Sequence, residues 1–181
     1  YVKYQSPYLE MVNAGSFIGA GKSLSEGKVL SGSLFTGVPR TNKTFDMNQE
    51  KTKGLIVEYK LVSEGSYLSF QSGFLKEDAF ILGSSFTGAF GSLNSSNTYF
   101  KGFSSFMNFK KLNVLASYFH GETKPRLHSP GLITKLENFS SSSYGLGLQL
   151  EKIFSSQDRF SFNLSQPLRL TRGGASFFIP T

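Results

Sequence analysis

Residues 140–151, SSSSYGLGLQLE, alternate between two kinds of side chain without the charge that a water-facing strand carries. Tyr144, Leu146, Leu148 and Leu150 fall on one side, and Ser143, Gly145, Gly147 and Gln149 on the other. Successive side chains of a strand point to opposite faces, so this period of two builds one apolar wall and one small polar wall. A soluble strand usually meets water with Lys, Glu and Thr. Gly, Ser and Gln suit instead the crowded, hydrated interior of a barrel whose greasy wall faces lipid.

The signature recurs. Leu68, Phe70 and Phe74 alternate with Ser69, Gln71 and Gly73, and Phe160, Phe162 and Leu164 alternate with Ser161, Asn163 and Ser165. The apolar members of these two stretches, with Tyr144, Leu146, Leu148 and Leu150, are expected to face lipid. Their small partners, with Gly145, Gly147 and Gln149, are expected to line a lumen. Leu55, Val57, Tyr59 and Leu61 alternate with Ile56, Glu58 and Lys60, and Val114, Ala116 and Tyr118 run opposite Asn113, Ser117 and Gly121. Leu115 and Phe119 break that last pattern.

Composition agrees with a sheet that spends little on surface charge. Charged residues make up 17% of the 181-residue chain, against about 25% in soluble domains, while 19 Phe and 8 Tyr raise the aromatic share to 15%. The mean hydropathy of −0.16 excludes a helical membrane protein, since no run approaches the ~20 apolar residues a spanning helix needs. The absence of Cys removes thiolate catalysis, thiolate metal sites and disulfides together. The net charge of +7 raises nucleic acid as a partner. The cations are scattered through turn-like segments, however, so anionic lipid headgroups are the expected partner and nucleic acid is not.

Turn-forming clusters at residues 23–28, 39–50, 63–66, 91–98, 121–131 and 155–158 divide the chain. Between them lie about eight strand-length segments, at 11–22, 29–37, 53–62, 67–82, 98–110, 113–120, 140–153 and 159–170, with residues 177–179 able to open another. Only 76–83 leaves room for a helix. The links at 63–66 and 110–113 are short and those at 39–50, 91–98 and 121–139 long, the alternation of periplasmic turns and outer loops. The expectation is one all-β domain over residues 1–181, an antiparallel up-and-down β-barrel of about eight or more strands and of outer-membrane type. Residues 1–13 would lead in from an upstream passenger.

Three segments carry a family resemblance: GFLKEDAFILGSSFTGAFG (73–91), SYGLGLQLEKIF (143–154) and DRFSFNLSQPLRLTRGGASFFIP (158–180), with Ser165-Gln-Pro-Leu-Arg169 as the most specific element. Together with VKYQSPYLEMVN (2–13), they resemble the C-terminal region of autotransporter-type subtilisin-like serine peptidases of proteobacteria. The resemblance implies an outer-membrane translocator or anchor with the peptidase upstream, and assembly by the cell's barrel-assembly machinery. The family's C-terminal region continues past the Ser-Gln-Pro-Leu-Arg element and ends in an aromatic residue, which this chain lacks. Either further strands of the same protein or a second chain is then expected to complete the barrel, because an open edge cannot face lipid unpaired.

No residue is assigned to catalysis, a cofactor or a metal, and the chain is read as non-enzymatic. Gly15 to Ser23 (GSFIGAGKS) departs from a phosphate loop: five residues separate Gly15 from Gly21, and a turn follows where a helix should start. His120, taken as a strand end, and His128, taken as a loop residue, lack a GxSxG partner motif, although a barrel hydrolase stays open. Lys76 with Glu77, and Lys60 with Glu58, are candidate charge pairs inside the lumen. The competing reading is a soluble barrel or sandwich that closes its Phe-rich face over an apolar ligand, since shifting the reading by one residue exchanges the walls. A secreted adhesive β-repeat would need a repeat period that is not visible.

Overall fold

The computed structural model describes residues 6–39, 51–151 and 158–178. Its strands are β1 (Val12–Ser25), β2 (Lys28–Pro39), β3 (Thr52–Ser63), β4 (Ser66–Asp78), β5 (Gly91–Phe109), β6 (Leu112–Pro130), β7 (Ile133–Leu136), β8 (Phe139–Glu151), β9 (Arg159–Arg172) and β10 (Ala175–Phe177). Eight of them form one sheet in the order β1-β2-β3-β4-β5-β6-β8-β9, and β10 pairs with β7. Every ladder is antiparallel. The fold is therefore an all-β, up-and-down sheet, with no α-helix among the described residues. No ladder joins β1 to β9 among those residues, so the sheet has two edges.

Local sequence sets the hairpins. Glu64 and Gly65 both take positive φ, 38° and 78°, the signature of the two-residue type I′ turn whose twist matches the flanking strands. Gly27 and Lys110 also take positive φ in the β1–β2 and β5–β6 turns. These short turns share one end of the sheet. The long connections 79–90 and 131–138 share the other, together with the end of β2 and the start of β3.

Three boundaries differ from the sequence expectation. Residues 91–98 and 121–130, read as loops, are strand, and β5 and β6 pair from Gly91↔Pro130 to Phe109↔Leu112. Their Ser, Asn and Thr side chains resemble a loop, but Ser96, Thr98 and Thr123 are buried on one face of the sheet, where the Thr98 and Thr123 hydroxyls bond at 2.8 Å. Pro125 is tolerated because the β6–β8 pairing stops at Thr123↔Phe139, beyond which β6 is an edge strand. The stretch 76–83 is strand only through Asp78 and then turns, with Ala79, Leu82 and Gly83 at positive φ. The long loop is thus 79–90 and not 91–98. The loop at 40–50, the 152–157 link and the suggested strand end at Ile179 lie outside the described residues, as do residues 1–5 of the lead-in segment.

One face of the sheet is buried and the other is open. The core on the buried face consists of Tyr8, Ile56, Phe100 and Phe119, with Leu9, Leu82 and Leu168 packed against it. These residues come from β3, β5, β6, β9, the segment before β1 and the 79–90 loop, so sheet and loops curl around a common interior. Rings lie over glycines of the neighbouring strand: Phe100 over its partner Gly73, and Phe119 over its partner Gly102. A Cβ at either glycine would sit about 2.3–2.4 Å from ring carbons. Phe119 breaks the sequence alternation for this reason: it is an interior ring at 2% exposure.

Candidate membrane-facing surface and polar interior

Cross-strand register turns the alternation along each strand into rows across the sheet, because directly paired residues share a face. On the exposed face, Tyr59, Phe70, Phe103, Tyr118 and Tyr144 are consecutive partners from β3 to β8, an unbroken transverse row of rings. Towards the short turns follow the rows Leu68–Ser105–Ala116–Leu146–Leu164, Met107–Val114–Leu148–Phe162 and Phe109–Leu112–Leu150–Phe160. Most of these side chains are open, Phe70 by 48% and Leu164 by 51%.

The apolar band runs diagonally across the strands. On β3 it reaches Leu55, in the row of Phe74, Tyr99, Glu122 and Ser140, whereas on β8 it stops at Tyr144, four residues nearer the short turns. Four residues are about 14 Å along a strand and four strand steps about 19 Å across the sheet, so the band is inclined at about 35° to the transverse rows.

The sequence-derived residues fall as follows. Leu68, Phe70, Phe74, Tyr144, Leu146, Leu148 and Leu150 share the exposed face, where Phe74 tilts against Tyr99 at 5.0 Å. Ser69 and Gln71 are buried on the other face, with Gly73, Gly145, Gly147 and Gln149 partly covered. On β9, Phe160, Phe162 and Leu164 pair with Leu150, Leu148 and Leu146, while Ser161, Asn163 and Ser165 pair with Gln149, Gly147 and Gly145. Both sides of β9 are exposed, because it is an edge strand. His120 lies within β6, on the exposed face opposite Lys101, and not at the strand end; His128 is also in β6 and not in a loop. Residues 15–23 run inside β1, so no helix start is available to cradle a phosphate there.

The buried face is polar beyond its aromatic core. The Glu58 carboxylate accepts from Ser69 Oγ at 2.5 Å and Gln71 Nε2 at 3.0 Å, with Lys60 Nζ 3.8 Å away. Burying a carboxylate is costly unless such donors surround it. Lys76 does not pair with Glu77. It points to the exposed face with Asp78, 3.9 Å away, while Glu77 turns inward and is fully buried. Glu77 instead accepts the backbone N–H groups of Leu82 at 2.8 Å and Gly83 at 2.7 Å, and Ser96 Oγ at 3.2 Å. This carboxylate ties the 79–90 loop to the interior.

Tyr8 closes the interior from the segment ahead of β1. Its ring stacks on Phe100 with centroids 4.6 Å apart, and its hydroxyl meets Ser141 Oγ at 2.9 Å. Burial pushes the phenol up to about 12, against the pull of the Ser141 hydrogen bond. A cavity of about 990 Å³ remains beside it, lined by Met11, Leu82, Ser117, Ser143, Ser165 and Leu168 among others. The segment ahead of β1 and the middle of β9 thus border one interior space. Among the described residues no three His, Asp or Glu side chains are grouped to hold a metal ion.

Sequence reasoning missed Tyr8 and the aromatic row, and it placed Glu77 in the interior with the wrong partner. The row required register, but Tyr59 and Tyr118 already carried the alternation. No family model, curated protein or solved structure matches the chain.

Proposed function

We propose that this chain is an outer-membrane β-barrel region of autotransporter type, which anchors or passes an upstream passenger, with its Leu- and Phe-rich face in lipid. The observation that carries the reading is the inverted sidedness of one continuous sheet: most rings and leucines lie on the open face, and Ser, Thr, Gln and Glu surround a small aromatic core on the buried one. A water-soluble sheet hides its rings; a membrane barrel displays them. The diagonal band adds support, since strands of a barrel tilt by about 35–45° and a level lipid slab then crosses them obliquely. The aromatic row crosses the band and meets its long-loop border at Tyr144 on β8, while Leu55, Phe74 and Tyr99 carry the band two rows further on β3 to β5; rings at such a border suit an interfacial girdle. Closure follows from the same physics: β1 and β9 run antiparallel, and joining them, or adding strands between them, removes edges that lipid cannot solvate.

The translocator role rests on the family resemblance and on Ser6 to Met11, which lies against the interior with Tyr8 at its centre. In this role the small hydrated lining of Ser and Gly gives a passing chain few strong holds. The soluble alternative, with rings closed over an apolar ligand, needs the opposite faces.

The chain has no Cys, so single-cysteine variants at positions 144–150 in reconstituted vesicles test the reading cleanly. Positions 144, 146, 148 and 150 should quench with a lipid-borne quencher, and 145, 147 and 149 should react with a water-soluble thiol reagent. Uniform aqueous reactivity, or a monodisperse monomer without detergent, defeats the proposal.

A further inference from the structure

Beyond the aromatic row, the exposed face changes character at one end only. Lys53 and Lys76 are direct cross-strand partners on β3 and β4, and the same row continues through Asn97 to Lys124. A second row runs Lys101–His120–Ser142–Arg169, and Ser140 pairs with Arg172. All six of these Lys and Arg side chains are exposed, and Arg126 lies just beyond them. Only Asp78 and Glu122 oppose them on this stretch of the four central strands. The Lys76–Asp78 contact at 3.9 Å is a half-exposed pair and contributes little.

The short-turn end is different. Among the described residues there, Lys28, Lys110 and Arg159 are matched in number by Glu26, Glu64 and Glu151, and Lys111 and Asp158 add one of each sign. The imbalance therefore belongs to the long-loop end and is not a general property of a +7 chain. Like charges placed directly opposite each other repel, as Lys53 and Lys76 do. An anion shared between them converts this penalty into attraction. The rows also supply neutral donors, Asn97, Ser140 and Ser142, between the cations.

We infer that these rows form a docking surface for the phosphate groups of anionic lipid in the membrane leaflet at the long-loop end. The inference rests on the barrel reading above and deepens it by assigning a lipid class and a leaflet. Three placements support a lipid over a dissolved anion. The cations face outward and not into the interior. They follow the diagonal border of the apolar band, one row past the aromatic row at Lys101 on β5 and three rows past it at Lys53 and Lys76, just beyond Leu55 and Phe74, at headgroup depth. They extend from β3 to β9, a width that suits several headgroups and not one small ion.

The test compares insertion of the full chain into neutral phosphatidylcholine vesicles and into vesicles carrying phosphatidylglycerol or a bisphosphorylated lipid A, read by heat-modifiable gel mobility and lipid co-sedimentation. The unaltered chain should prefer the anionic vesicles and lose that preference as salt rises. One basic residue near an anionic surface is worth about fivefold in binding, so Lys53→Gln/Lys76→Gln/Lys124→Gln should lower the preference by on the order of a hundredfold. Lys28→Gln/Lys110→Gln, at the balanced end, should leave it nearly unchanged. Equal loss in both variants, or equal insertion of the unaltered chain into neutral and anionic vesicles, overturns the inference while leaving the barrel reading intact. Failure to enter any vesicle defeats the barrel reading itself. Competition by millimolar inorganic phosphate, or tighter binding of duplex DNA than of anionic vesicles, also overturns the inference.

Discussion

The two faces of β4 are opposite in character. Its exposed side carries Leu68, Phe70, Ser72, Phe74 and Lys76; its buried side carries Ser69, Gln71, Gly73, Leu75 and Glu77. In water the hydrophobic effect would exchange these sides, since burying one Phe or Leu is worth about 1.5–3 kcal/mol. The polar side is covered nonetheless, and its groups find one another: Glu58, Ser69 and Gln71 in one network, Glu77 with the 79–90 loop in another. On the proposed reading, two kinds of solvent shape this sheet, and each face can be perturbed separately.

The sharpest way to break the comparison is to place the same charge on both faces of one strand. Leu148→Arg puts a guanidinium in the middle of the apolar band and should cost about 2–4 kcal/mol in lipid vesicles, near the upper value at the midplane. Gln149→Arg, one residue away on the other face, should cost under about 1 kcal/mol. Urea unfolding of the vesicle-inserted protein, followed by gel mobility, reads both. Equal costs would mean that the faces do not see different media.

The interior has its own largest contact. Tyr8→Ala removes a buried ring stacked on Phe100 and should cost about 3 kcal/mol. Gly121→Ala would place a Cβ 2.4 Å from the Tyr8 hydroxyl, so it should destabilise the parent chain but do little in a Tyr8→Ala background. A double-mutant cycle measures this coupling. Additive losses would mean that Tyr8 does not occupy the slot beside Gly121.

Period-two alternation made the all-β class, the strand count of the main sheet and the pairing of faces legible in the sequence. Side-chain direction in a strand is a local property, so these features needed no knowledge of distant partners. What escaped depended on pairing between distant segments. Residues 91–98 and 121–130 contain Ser, Asn, Gly and Pro that are common in loops, and only the mutual register of β5 and β6 holds them as strand. Phe119 and Leu115 looked like errors in a pattern. Phe119 is instead the ring that covers Gly102, a relation set by a partner 17 positions away in the chain. Glu77 was placed with Lys76 because they are neighbours in sequence, yet adjacent strand residues point to opposite faces.

Alkaline pH sharpens the interior side of the comparison at a smaller scale. The Tyr8 phenol stands at about 12 in the folded protein against 10.0 for an unperturbed tyrosine. The unfolded chain therefore releases this proton first, between the two values, and folding stability falls as pH rises through that window. The contribution is fully present below about pH 10 and amounts to roughly 2 kcal/mol by the time it is lost. Tyr8→Phe should remove the Tyr8 share of this slope, and absorbance titration should show one tyrosine of the parent ionising late. A parent and variant with the same alkaline slope would place the Tyr8 hydroxyl in water.

The smallest expected effect comes from the Glu77 tether. Its two oxygens accept from different donors, Oε1 from the Gly83 N–H and Oε2 from the Leu82 N–H and Ser96 Oγ. Glu77→Gln keeps the shape but turns one acceptor into an NH2 group facing an N–H, so one hydrogen bond is lost and two donors are opposed. The cost should be about 1–2 kcal/mol and local. Hydrogen exchange at the Leu82 and Gly83 amides should quicken, and protease should cut within 79–90 sooner, while the Leu148→Arg penalty stays the same in this background. If Glu77→Gln instead shifted the penalty on the exposed face, the two faces would be coupled through the sheet, and the separation of media drawn from β4 would not hold.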